Sequence, residues 1–155
     1  KIWRDFAFSR IPKFEGLLED IKRRWQSDKR KYDLSGFDKF EKHVEGAKLN
    51  AFQAGVEDTT NFWVGNATNP GSYPDGMETV VTNPPYGLRI GRKSLVEKLY
   101  EKFCRVVADL GFERMVLITG EPYFVKAAEK AGLDLLEKRS VVYGDLPSLI
   151  LVYSC

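Results

Sequence analysis

Apolar positions along this chain change their period several times, and each change marks an element. Phe14, Leu17, Leu18, Ile21 and Trp25 recur at three- and four-residue steps. That spacing predicts an amphipathic helix whose polar face carries Lys22, Arg23 and Arg24. Residues 31–37 read as a strand. Phe40, Val44, Ala47 and Ala51 form the buried stripe of a second helix, which Gly55 stops. Residues 61–64 and 78–82 are short strands, separated by a loop through Pro70, Gly71, Pro74 and Gly76. The capping box Ser94-Leu95-Val96-Glu97 opens a third helix, with Leu95, Leu99, Phe103, Val106, Val107 and Leu110 on one face and Gly111 at its end. Residues 115–119 are a buried strand. Pro122 starts a short helix that Gly132 stops, and 138–143 pairs with 148–154 as a hairpin across 144–147. Strands alternate with helices until that hairpin, so the class is α/β, with a mostly parallel sheet and one antiparallel strand near its edge.

Composition narrows this to one soluble domain: 155 residues at 43% hydrophobic content can bury a real core. No apolar run approaches the roughly 18 residues of a membrane span. Two cysteines far apart and a single histidine, His43, suggest neither a disulfide framework nor a metal site, which points to the cytoplasm. The net charge of +2 is uneven: residues 1–31 hold ten Lys/Arg against five Asp/Glu, leaving −3 for the rest. This basic leading segment, ahead of an α/β core over 32–155, fits contact with a phosphate backbone, although a charge run is more often a solvated face. The chain opens on Lys1 without an initiator Met, as expected of a piece of a longer polypeptide.

The candidate chemistry lies in Thr82-Asn83-Pro84-Pro85-Tyr86-Gly87-Leu88-Arg89-Ile90-Gly91. Pro84 pushes Asn83 into the extended region, and the two prolines fix φ and bring no N–H. A stiff turn at a strand end therefore holds one amide, adjacent free carbonyls and a phenol ring in fixed relation. The Asn83 side-chain oxygen and the Pro84 carbonyl can accept both N–H bonds of a nucleobase amine, which frees its lone pair to point at an electrophile. Tyr86 offers a face for the base, a contact worth about 1–3 kcal/mol. The bland alternative is a proline turn that closes a buried strand. Ligands of such sheets bind beyond the carboxyl ends of the strands. Asp38, Asn66 and Asn83 each fall just past a predicted strand, so three polar side chains are expected along one rim. Asp38 there suits a ribose diol, and it equally suits the cap of a helix starting at Lys39. His43 reads as packed or solvated.

Asn83-Pro84-Pro85-Tyr86 resembles the motif of S-adenosylmethionine-dependent amino methyltransferases. Its longer form, through Gly91, is similar to the THUMP-associated RNA guanine-N2 methyltransferases. Two further stretches agree: Phe6-Ala7-Phe8-Ser9-Arg10-Ile11-Pro12-Lys13-Phe14, and Ser35-Gly36-Phe37-Asp38 with the helix ending Asn50-Ala51-Phe52-Gln53-Ala54-Gly55-Val56. The resemblance implies a Rossmann-like class I methyltransferase sheet acting on tRNA in preference to rRNA. Asn83, Pro84, Pro85 and Tyr86 would be catalytic. Asp38 would hold the cofactor ribose and Asn66 its adenine, with Lys39, Ala67 and Asn83 also at the cofactor. Asn66 stands where the family usually has Asp, keeping an acceptor oxygen but losing the charge. Arg89, Arg92, Lys93 and Arg10 would contact RNA, and the alternating Phe6, Phe8 and Phe14 are either RNA-facing or core.

One part of such a site is missing. The glycines never fall at G-x-G spacing, so the first strand and its glycine-rich cofactor loop are expected upstream of Lys1, and a THUMP domain further upstream. The chain thus reads as a carboxyl-terminal part of a catalytic domain whose isolated form can be inactive. Amino methyltransferases for DNA or for a protein glutamine share the tetrapeptide and are the enzymatic alternatives. A non-catalytic RNA-binding module is the other.

Overall fold

The computed structural model describes residues 14–27, 33–86, 93–143 and 146–155. Its core is organised by one stripe of α3 (Lys93–Leu110), where Val96, Tyr100, Phe103, Cys104 and Val107 are all buried. These positions fall on one helical face. They pack with Met115 and Leu117 of β4 (Arg114–Thr119), Phe124, Ala127 and Ala128 of α4 (Tyr123–Lys130), and Leu151 and Tyr153 of β6 (Leu146–Ser154). Phe124 is the hub, with its ring centroid 5.0 Å from Tyr100 in edge contact. Glu101 clamps α3 to α4 from outside, accepting from the Tyr123 hydroxyl at 2.7 Å and from Lys130 Nζ at 2.9 Å.

The stripe differs from the expected one. Leu95 and Leu110 are exposed, and Tyr100 and Cys104 take their place. Helix α3 packs on α4 as well as on the sheet, and this rotates its buried face by about one position. The helix also starts at Lys93, so Ser94 lies within its first turn and does not cap it. Helix α1 (Phe14–Ser27) forms where the pattern placed it, but Leu17 and Ile21 are exposed, with no described element over them. In α2 (Glu41–Ala54), Val44 and Ala51 are buried as expected. Phe40 stands outside as the residue before the helix and is exposed.

Two sheets form from the described strands. β3 (Thr79–Thr82) pairs parallel with β4, β4 antiparallel with β6, and β6 antiparallel with β5 (Asp134–Tyr143), in the order β3-β4-β6-β5. β6 is thus the one antiparallel strand, second from the edge, as the hydrophobic pattern predicts. The hairpin is longer than expected at both ends. Pro147 belongs to β6 but pairs only with Val142 of β5, beyond the last β4 partner at Leu149. A residue with no N–H is tolerated where one neighbour is absent.

The second sheet is only β1 (Leu34–Asp38) and β2 (Thr60–Val64), parallel and joined by α2. Among the described residues, β1 has β2 as its one strand partner and β3 has β4. A cleft of about 370 Å³ lies between them, lined by Leu34–Phe37 of β1, Thr79–Thr82 of β3, and Tyr73, Met77, Phe103 and Phe112. Val81 and Leu34 are exposed. A parallel pair left open on its inner edge has backbone groups with no ladder partner.

Candidate active site at the strand ends

Asp38 is the last residue of β1, one position earlier than expected. Its Oδ1 accepts from the Phe40 backbone N–H at 2.8 Å and from His43 Nδ1 at 3.0 Å. The Phe40 bond, with His43 adding to it, holds the carboxyl below its ordinary value of 3.8 against the opposing cost of burial. Helix α2 starts at Glu41 after Phe40, so Asp38 closes the turn ahead of the helix and does not cap it. Its Oδ2 engages no described residue. His43 is exposed, as the solvated reading expects, and it also orients this carboxylate from the second position after the helix start. Lys39 beside it is exposed.

The adjacent strand end is built by local side-chain bonds. The Gly65 N–H donates to the Asp38 carbonyl at 3.0 Å, tying the two ends together. Glycine is needed there, because a Cβ would come within 2.9 Å of the Phe37 ring. The Asn66 N–H donates to Ser72 Oγ at 2.9 Å, and the Tyr73 hydroxyl donates to the Ala67 carbonyl at 2.9 Å. The expectation for Asn66 needs correction. Its Oδ1 already accepts from the Thr68 N–H at 3.0 Å and the Thr68 hydroxyl at 2.9 Å. An Asn followed by Thr closes a turn on itself, so the oxygen expected to face an adenine amine serves its own loop. The side-chain NH₂ is the group left over, and it can only donate.

Asn83 follows β3 directly and is exposed, with no hydrogen bond to a described residue. Pro84 is buried, and its carbonyl accepts no bond from a described residue; Pro85 is exposed. The Pro85 carbonyl accepts from the Tyr100 hydroxyl at 2.6 Å. Tyr86 is half-buried, and its ring lies 3.6 Å from where a Cβ on Gly120 would stand. Its hydroxyl is buried with no partner among the described residues. A buried phenol without a partner marks a place where another group completes the environment.

Asp38 and Asn66 thus lie on neighbouring strand ends, and Asn83 stands at the end of β3 across the cleft. The three share no hydrogen bond. Lys93 is the exposed first residue of α3. Arg10, Arg89 and Arg92, with Phe6 and Phe8, lie outside the described residues. Tyr100 is a buried group that the apolar pattern missed, and Thr119 was expected only as the end of a buried strand. The four-residue recurrence of Val96, Tyr100 and Cys104 is the signal that could have found the first.

A family model described as RMKL-like, methyltransferase domain matches residues 2–148. The chain is 41% identical over 154 residues to a tRNA (guanine(6)-N2)-methyltransferase of Archaeoglobus fulgidus, covering 97% of this chain and 36% of that protein. It is 37% identical over 144 residues to the protein of the same name from Methanocaldococcus jannaschii, covering 91% and 38%. The chain therefore spans little more than a third of the relatives it matches. Among solved structures, SMU.472, described as a methyltransferase and complexed with SAH, superposes with a TM-score of 0.75 at 26% identity, over 97% of this chain and 40% of that one.

Proposed function

The chain belongs to the RMKL-like methyltransferase domain family, and from that premise we propose that it is the carboxyl-terminal part of a catalytic domain methylating the exocyclic amine of a guanine in RNA, tRNA before rRNA. The observation that carries this reading is the exposed Asn83 amide beside the Pro84 carbonyl, neither bonded to a described residue, on a turn anchored by a buried proline. Two fixed acceptors that take both protons of a planar amine draw its nitrogen toward tetrahedral geometry and expose its lone pair. Preorganised partners aimed at the developing charge distribution act in this way. Tyr86 lies beside the acceptors and stacks the base, and a paired target would first be extruded from its helix.

S-adenosyl-L-methionine, when bound, supplies an electrophilic methyl on a sulfonium with a good leaving group. The residues present fit it in part. The ionised Asp38 has one oxygen free for the ribose diol, with Lys39 beside it. Asn66 and Ala67 border the adenine side with a donor in place of the usual acceptor. The cofactor would supply its methyl to the amine nitrogen held by Asn83 and Pro84, and the proton that nitrogen gives up would pass to solvent. Lys93, with Arg89, Arg92 and Arg10, neutralises RNA phosphates.

The rest of the site comes from outside residues 1–155. A strand from the polypeptide upstream fills the cleft between β1 and β3 and ends in the glycine-rich cofactor loop. An RNA-binding THUMP domain precedes it. No described helix is long and apolar enough to cross a membrane, and a cytoplasmic location suits an enzyme of tRNA.

The test is methyl transfer from labelled cofactor by the full-length protein to tRNA, duplex DNA and a glutamine-containing peptide. Label in tRNA guanine, reduced about a hundredfold or more by Asn83→Ala, is the expected result. Label only in DNA or peptide refutes the substrate class, full transfer by the variant refutes the role of Asn83, and tRNA binding with no label in any substrate favours a binding module.

A further inference from the structure

Of the two proline carbonyls in the stretch 83–86, one accepts from a described residue and the other does not. Tyr100 lies on α3, fifteen residues further along, with its side chain buried in the core. Its hydroxyl reaches out of that core to the Pro85 carbonyl at 2.6 Å, a short contact for two neutral groups. Burial raises the Tyr100 phenol to about 12, and the Thr119 hydroxyl at the end of β4 works against that rise. Thr119 is fully buried, and its Oγ1 accepts from the Glu121 N–H at 3.0 Å. Two buried hydroxyls, of Thr119 and Tyr100, thus stand between the turn after β4 and the Pro85 carbonyl, which the second of them bonds directly.

Resting on the reading of Asn83–Tyr86 given above, we propose that Tyr100 is the positioning residue that sets which proline carbonyl meets the substrate amine. The phenol holds the Pro85 carbonyl turned toward α3. The Pro85 nitrogen carries no hydrogen, so this bond to its carbonyl is the described polar tie on the second proline. With the Pro85 oxygen occupied, the Pro84 oxygen is the acceptor left to act beside Asn83. Thr119 keeps the phenol aimed. Neither side chain touches the substrate.

Tyr100→Phe in the full-length protein tests this, since it deletes one oxygen and keeps the ring that packs on Phe124. Methylation of tRNA should fall in kcat by about ten- to a hundredfold, as for a slight misplacement of a reacting group, with KM values for cofactor and tRNA nearly unchanged. Thr119→Val should lower kcat in the same direction, and Thr119→Ser, which retains the hydroxyl, should restore most of it. Should Tyr100→Phe not fold, the Thr119 pair decides: equal kcat for Val and Ser overturns the proposal. Wild-type kcat for Tyr100→Phe, or a raised KM with kcat intact, also overturns it. Those failures leave the reading of Asn83 standing if Asn83→Ala is inactive. A wild type that methylates no base amine removes both.

Discussion

Completing the cleft should change the stability of the domain by a measurable amount. The perturbation is to extend the chain at its amino end by the segment that carries one further strand, and to compare it with residues 1–155. β1 offers five residues on its open edge and β3 four. A strand parallel to both would form roughly nine backbone hydrogen bonds at a net of about 1 kcal/mol each. Ordering about five residues costs roughly 7 kcal/mol of backbone entropy, which nearly offsets that gain. Burial of apolar groups along the cleft, Leu34 and Val81 among them, tips the balance at about 1.5–3 kcal/mol per side chain fully covered. The longer chain should thus gain a few kcal/mol, a large share of the ~5–15 kcal/mol that holds a domain together. Urea unfolding would show this as a midpoint raised by about 1–3 M, with a steeper slope from the larger surface exposed. Added contacts elsewhere could also raise the midpoint, so the deciding assay is amide hydrogen exchange. Amides of residues 34–38 and 79–82 that lack a ladder partner should exchange fast in the 155-residue chain and slowly in the longer one. Equal exchange at these positions in both chains would refute the argument, whatever the midpoint did.

Two smaller perturbations probe the rim and the core. Asp38→Asn in the full-length protein removes charge-assisted bonds worth about 1.5–3 kcal/mol, and titration calorimetry should read a roughly ten- to hundredfold weaker affinity for S-adenosyl-L-methionine. Because the Asp38 carboxyl titrates below its ordinary 3.8, its contribution is complete above that value and is lost only as pH falls through the lower folded one. Unchanged affinity for the variant at pH 7 would rule out the ribose role. Burial pushes the Cys104 thiol up to about 12 from 9.0, so its contribution to stability is complete below 9.0 and fades as pH rises toward 12. Alkylation of the native chain at pH 8 should therefore stop at the half-buried Cys155, followed by peptide mass spectrometry. Rapid modification of Cys104 would mean that the core around α3 is not packed as described.

Apolar period with proline and glycine stops was enough to place each described strand and α-helix, though not the short 3₁₀ turns Glu57–Thr59 and Pro70–Ser72, because alternation and helical spacing are properties of neighbouring positions. Partners between distant positions were not legible. Nothing near Asn66 says that its oxygen turns back to Thr68, except the polar pair itself, and nothing near Pro85 names Tyr100. The rim shows how this matters. Asparagine and aspartate at strand ends declare where chemistry is possible, yet whether a given oxygen is free depends on the donor that reaches it first. Asp38 loses one oxygen to its own helix entry and keeps the other. Asn66 loses its oxygen altogether. Pro85 gives up its carbonyl to a residue that a one-position error in the phase of α3 leaves off the buried face. A shift of about 100° around one helix therefore separates a candidate site with two interchangeable carbonyls from one in which the fold has already chosen Pro84.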